Sequence, residues 1–245
     1  MITAFAMIAI NEFLIQEKIY PKHLLFWLAN LFVAYNLFLY IPMNINSKTN
    51  TIFITMILFF LITGMIHGIG KKNPVDLFNR YTKLFWGVCY IGFLYPYIID
   101  LSGFGWLGVS GGDWLLFLFA ILWVGDSAAL FVGKSIGKHK LAPSVSPNKT
   151  IEGFIGGLIG AILVGVTIYF WKFNVIAWYH IILIAFGCSI FGQLGDLVES
   201  MWKRSINIKD SSNLIPGHGG ILDRFDSLLF AAPFMFLYLN FLVQP

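Results

Sequence analysis

The chain is predicted to be an all-α polytopic membrane bundle of about seven or eight transmembrane helices, and three observations predict it. Mean hydropathy is +0.78, and 58% of the 245 residues are hydrophobic against 11% charged. Apolar runs of about 20 residues, the length a helix needs to cross hydrocarbon, recur along the chain. The runs are continuous rather than alternating, which favours helices over a closed barrel, the other architecture that satisfies its backbone in lipid.

In chain order, spans are predicted near 24–42, 51–69, 84–101, 113–133, 153–171, 179–199 and 225–243. An eighth segment, 2–15, is short and carries Glu12. A partial span, an interfacial helix and the remnant of a longer segment all fit it. It lacks a basic leader and a small-residue cleavage site, so it does not read as a signal peptide. The loops 16–23, 70–83, 134–152 and 200–224 hold 14 of the 16 Lys and Arg residues; only Lys48 and Lys172 lie on the alternate loops. Lys/Arg-rich loops face the cytoplasm, so these four are predicted inside, with both termini outside if 2–15 crosses.

No soluble domain, fixed-period repeat or low-complexity linker interrupts the chain. It reads as one membrane domain, with residues 1–112 as an N-terminal scaffold. Residues 113–245 form the catalytic half, carrying cytoplasmic loops 134–152 and 200–224. Cys89 and Cys188 sit in apolar spans and read as buried small hydrophobes. Asn148-Lys149-Thr150 matches a glycosylation sequon but falls in a loop placed inside. The net charge of +4 reflects topology and affinity for anionic lipid or nucleotide. Nucleic-acid binding is not expected, because no aromatic-interleaved basic domain stands outside the membrane.

Charge is crowded into one stretch. Ser200–Asp226 holds four basic residues and three aspartates around a Pro-Gly-His-Gly-Gly turn. Upstream, Asp126 lies about two helical turns before a basic loop; an aspartate at a span centre costs about 2.5–3.5 kcal/mol on insertion scales. It reads either as a helix-packing polar group or as the wall of an inward-facing site. On one helix, Asp196, Glu199, Ser200 and Lys203 would share a face, as a surface ladder or as a site that Gln193 extends toward the bilayer. Asp223 and Asp226 open the last span, where aspartate is favourable for ordinary capping reasons. Asp223 gains weight from the preceding His218, Gly219 and Gly220, since glycines let a backbone approach phosphate. The loop 133–153, with small residues, prolines and four lysines, is expected to be flexible and able to wrap an anion. It is neither a Walker loop nor a dinucleotide fingerprint.

Carboxylates, cations and glycines at one membrane–water boundary suit a hard divalent cation that bridges phosphates. No His/Cys pattern points to zinc. The implied chemistry is phosphoryl or nucleotidyl transfer on an amphipathic substrate that enters from lipid.

At these residues the chain resembles the phosphatidate cytidylyltransferase (CDP-diacylglycerol synthase) family. Ser200, Lys203, Arg204, Lys209, Asp210, Ser212, Pro216, His218, Gly219, Gly220, Asp223, Arg224 and Asp226 fall in register with the family signature. Trp202 stands where an aliphatic residue or Phe is usual. A second block is matched by Asp126, Ala129, Gly133, Gly137, Lys138, Ser146, Pro147, Lys149, Thr150, Glu152 and Gly153, with Leu130 and Asn148 departing from a common Tyr and Lys. Family members usually carry another hydrophobic segment before the part similar to Thr3–Gln16, so the chain is expected to begin short.

The resemblance implies formation of CDP-diacylglycerol and pyrophosphate from CTP and phosphatidate, with Mg²⁺, on the cytoplasmic side; the compact chain without sorting segments is expected in a bacterial inner membrane. The resemblance is compatible with a homodimer. Asp196 and Asp223 would hold the metal. Lys203, Arg204 and Lys209 would hold phosphates, and His218 with Gly219 and Gly220 the triphosphate or leaving group. Ser146 and Lys149 would contact nucleotide, and Asp126 would form a second wall. Arg224 would face a phosphate or a carboxylate. Glu152, Ser200, Asp210 and Asp226 complete the substrate-binding set. The competing readings are a CTP-dependent polyprenol or lipid kinase, which releases CDP, and an ion-coupled transporter. Against the transporter, no paired broken spans mark the two halves.

Overall fold

The computed structural model describes residues 2–39, 58–59, 63–64, 74–217 and 219–243. The predicted span 51–69 therefore lies outside the described residues except at four positions, as does His218. The structure is helical, and among the described residues four helices are long and apolar enough to cross a bilayer. The chain divides into two compact units, Met1–Ile99 with Ser211–Leu222, and Asp100–Asp210 with Asp223–Pro245.

The first unit contains α1 (Ile2–Gln16), α2 (Leu24–Leu39) and most of α3 (Pro74–Gly103). At 1.5 Å per residue, α1 is about 22 Å long, less than the roughly 30 Å of a hydrocarbon core. It is nonetheless well buried: Ala6, Ala9, Ile10, Phe13 and Leu14 lie in the core. Phe13 meets Trp86 of α3 at 5.6 Å between ring centroids, and Glu17 pairs with Lys83 at 2.8 Å. Lys18, with φ of 59°, closes α1 in the left-handed conformation that commonly ends helices, and Ile19 N donates back to Leu14 O. Helix α3 begins ten residues before the predicted span at 84. The segment 70–83, predicted as a loop, is therefore helical from Pro74. Hydropathy marks only the lipid-embedded part of a helix, and Arg80 and Lys83 lie on its polar extension.

In the second unit α4 (Gly111–Ile136) starts with a capping box in which Ser110 and Asp113 satisfy each other's backbone N–H groups. A two-stranded antiparallel hairpin follows, β1 (Lys140–Ala142) and β2 (Ser146–Thr150). Helix α5 (Ile151–Ile168) runs on through a π-turn at Tyr169–Phe173, then come α6 (Trp178–Ser205) and α7 (Leu222–Tyr238). The hairpin corrects the expectation of a flexible loop over 133–153. Its ends are tied by Glu152, which accepts from Lys138 N and His139 N and pairs with His139 Nδ1 at 2.6 Å.

Helices α4 and α5 approach closely because α5 carries small residues where they meet. A Cβ on Gly156 would stand 2.7 Å from Val132 Cβ, and one on Gly160 2.7 Å from Ala128 Cβ. Small residues serve this purpose where lipid, not water, surrounds a helix pair. The outer faces agree: Phe131 is 70% and Trp171 83% exposed, an apolar surface suited to acyl chains. Cys89 and Cys188 are free thiols; Cys188 is buried, as its sequence context predicts, and Cys89 is half-buried.

Candidate active site

Helix α6 carries the predicted polar face on its C-terminal half. Ser200 Oγ donates to Asp196 Oδ1 at 3.2 Å, and Lys203 Nζ reaches Glu199 Oε2 at 3.0 Å. These are the i, i+4 partners that helical spacing dictates. Two longer-range pairs extend the array. Lys149, at the end of β2, forms an ion pair with Asp196 Oδ2 at 2.5 Å. Lys203 also reaches Asp223 Oδ1, in the first turn of α7, at 2.7 Å.

A cavity of about 660 Å³ opens beside this array, within the size range of small-molecule sites. Asp126 and Ala129 of α4, Asn148 and Lys149 of β2, Gly153 of α5, and Gln193 and Asp196 of α6 line it. Asp126 lies within electrostatic reach of Asp196, Asp226 and Lys149, and Glu199 within reach of Asp223, Asp226 and Lys203. The hairpin positions Lys149, and Thr150 secures the hairpin's exit by capping α5: its Oγ1 accepts from Gly153 N at 3.1 Å. Thr150→Ala should cost about 1 kcal/mol of stability. That is measurable as a lowered thermal midpoint in detergent, with Thr150→Ser restoring it.

The remaining predicted residues divide by location. Arg204 is exposed and donates through Nε to Val145 O and through Nη1 to Ile208 O, joining the end of α6 to the hairpin turn. Ser146 is half-buried opposite Ala142 in the hairpin. Glu152 is occupied by the hairpin contacts described above and does not line the cavity. Asp226 Oδ1 accepts from Ser227 N at 2.6 Å. Lys209, Asp210 and Arg224 are exposed.

Gly219 and Gly220 lie in the first unit. Gly219 has φ of 79° and bridges Ile215, a conformation glycine adopts freely. Ser211, Ser212, Ile221 and Leu222 surround the carboxylate of Glu12. Sequence reasoning left Glu12 and the buried Glu199 out of the candidate site. The signal for Glu12 was present: it is the one charged residue in an apolar 15-residue helix.

Among the described residues no three His, Cys, Asp or Glu side chains form a ready-made metal cage. Mg²⁺ seldom needs one, since it takes one or two carboxylates and fills its shell with water and substrate phosphates. The carboxylates of Asp196, paired with Lys149, and Asp223, paired with Lys203, are hard oxygen donors of the kind such an ion takes.

Spanning helices that carry carboxylates and lysines to a ligand-sized cavity define the class: an α-helical membrane protein built to handle a charged ligand. The chain belongs to the cytidylyltransferase family, whose model matches residues 1–242. It is 45% identical over 150 residues to a protein of Bacillus subtilis (strain 168) named phosphatidate cytidylyltransferase, covering 61% of this chain and 55% of that one. Relatives of the same name are 47% identical over 146 residues in Staphylococcus haemolyticus, covering 59% and 53%, and 45% over 149 residues in Staphylococcus aureus (strain COL), covering 60% and 55%. The chain thus spans a little over half the length of the relatives it matches.

Proposed function

We propose that this protein transfers the cytidylyl group of CTP to phosphatidate, releasing pyrophosphate and forming CDP-diacylglycerol for phospholipid synthesis. The observation that carries the reading is the cavity at Asp126, Lys149 and Asp196, joined along α6 to the Glu199–Lys203–Asp223 array. Family membership and the names of the relatives support it.

A phosphatidate phosphate oxygen attacks the α-phosphorus of CTP. A P–O bond forms there as the bond to the bridging oxygen breaks, and pyrophosphate leaves with that electron pair. The nucleophile is already an anion, so no strong general base is required. The barrier is charge crowding and alignment, which positioned cations lower. Lys149 and Ser146 bind nucleotide, and Lys203, Arg204 and Lys209 bind phosphates. His218 with the Gly219–Gly220 backbone holds the triphosphate or the leaving group. Asp196 and Asp223 would hold Mg²⁺, which when bound would neutralise phosphate charge.

The same reading has seven or eight spans in a bacterial inner membrane, residues 1–112 as scaffold and 113–245 as the catalytic half. Its site opens to the cytoplasm, and a homodimer is its natural assembly. The test is purified protein in detergent with phosphatidate, CTP and Mg²⁺. Release of label from γ- but not α-labelled CTP into pyrophosphate, with α-label in lipid, supports it; CDP as product overturns it. Lys149→Met should raise KM for CTP about 10- to 100-fold, the weight of one charge-assisted hydrogen bond. Unchanged steady-state kinetics would remove Lys149 from the nucleotide site.

A further inference from the structure

We propose that Glu12 is a positioning residue whose carboxylate staples the base of the glycine-rich loop. Glu12 is 7% exposed, yet it faces four donors. Its Oε1 accepts from Ser212 Oγ at 2.7 Å and Ile221 N at 3.0 Å. Its Oε2 accepts from Ser211 Oγ at 3.1 Å and Leu222 N at 2.9 Å. Each oxygen therefore takes one bond from each side of the loop 213–220. One helical turn further along α1, Gln16 Nε2 donates to Ser211 O at 2.7 Å.

An ionised carboxylate is acceptor-only, with about four lone-pair sites, and this arrangement uses them all. Gly220 completes the fit. A Cβ there would stand 2.6 and 2.7 Å from the two Glu12 oxygens and would collide with Ser211 Oγ. Gly220, read from sequence as a phosphate contact, thus has a second duty: it leaves room for the staple. Leu222 directly precedes Asp223 in sequence, so the bond to Leu222 N fixes the far end of the loop. The consequence for catalysis rests on the proposed nucleotidyl transfer, which assigns Gly219, Gly220 and Asp223 to the site.

Glu12→Gln tests this in the full-length protein in detergent. The amide keeps the shape but turns an N–H₂ toward two donors. Hydrogen exchange across 211–222 should rise at least tenfold, and kcat should fall at least tenfold with KM for CTP changed less than threefold. That split marks loss of an interaction realised in the transition state. Should that variant fail to fold, Ser211→Ala/Ser212→Ala keeps both backbone donors and should show the same changes at smaller size. Unchanged exchange across 211–222 overturns the staple, and raised exchange with unchanged kcat overturns the positioning role. Exchange is read without substrate, so the staple is tested independently of which reaction the protein catalyses.

Discussion

Asp223→Asn and Asp196→Asn are each expected to lower kcat for the proposed CDP-diacylglycerol formation by about 10²–10³, the range for removing one charge-stabilising group from a preorganised site. Each carboxylate is paired with a lysine, Asp223 with Lys203 and Asp196 with Lys149. Asparagine keeps size and one acceptor oxygen but loses the charge. Lost turnover therefore reports on charge, provided the protein still inserts and melts normally. Raising Mg²⁺ should partly restore Asp196→Asn, because Asp126 and Asp226 remain within reach of that position. Near-normal turnover in either variant removes that residue from metal binding.

Lys203→Met is the second large effect, and it divides between stability and chemistry. The Lys203 ammonium lies 3.0 Å from Glu199 and 2.7 Å from Asp223, whose side chains are 0% and 8% exposed. Removing the cation takes an ionic partner from two buried carboxylates at once, a loss of about 3–5 kcal/mol. For a chain of this size that is a fall of roughly 6–20 °C in thermal midpoint. Turnover should drop at least a hundredfold as well, because the same ammonium is assigned to phosphate. Glu199→Gln in the Lys203→Met background should recover much of the stability and none of the turnover. Recovery of both would mean that Lys203 only balances charge; a Lys203→Met protein with wild-type midpoint and turnover would mean that the array carries neither.

Much of α6 was legible in advance. Spacing alone puts Asp196, Glu199, Ser200 and Lys203 on one face, and the Ser200–Asp196 and Lys203–Glu199 contacts follow from helical geometry. The partners from elsewhere were not legible. Lys149 reaches Asp196 from a hairpin that the sequence presented as a flexible basic loop, because prolines and small residues mask its two short strands. Glu152 resembled a substrate contact, and the structure engages it in holding that hairpin. In sequence Glu12 was only a charge in a short apolar segment; its four donors lie about 200 residues away.

What the sequence determined by itself is the solvent and the regular structure: a lipid-facing helical protein, with its lysines and arginines gathered in a few segments and its carboxylates spaced on helix faces. Those properties follow from transfer free energies and backbone periodicity, which are local and nearly additive along the chain. Only the tertiary structure decided which charge meets which: Lys203 between two acids, Lys149 on Asp196, Glu12 beneath the loop. Such pairs depend on how distant segments return to one another, and a buried charge is tolerated only where that return supplies its partners.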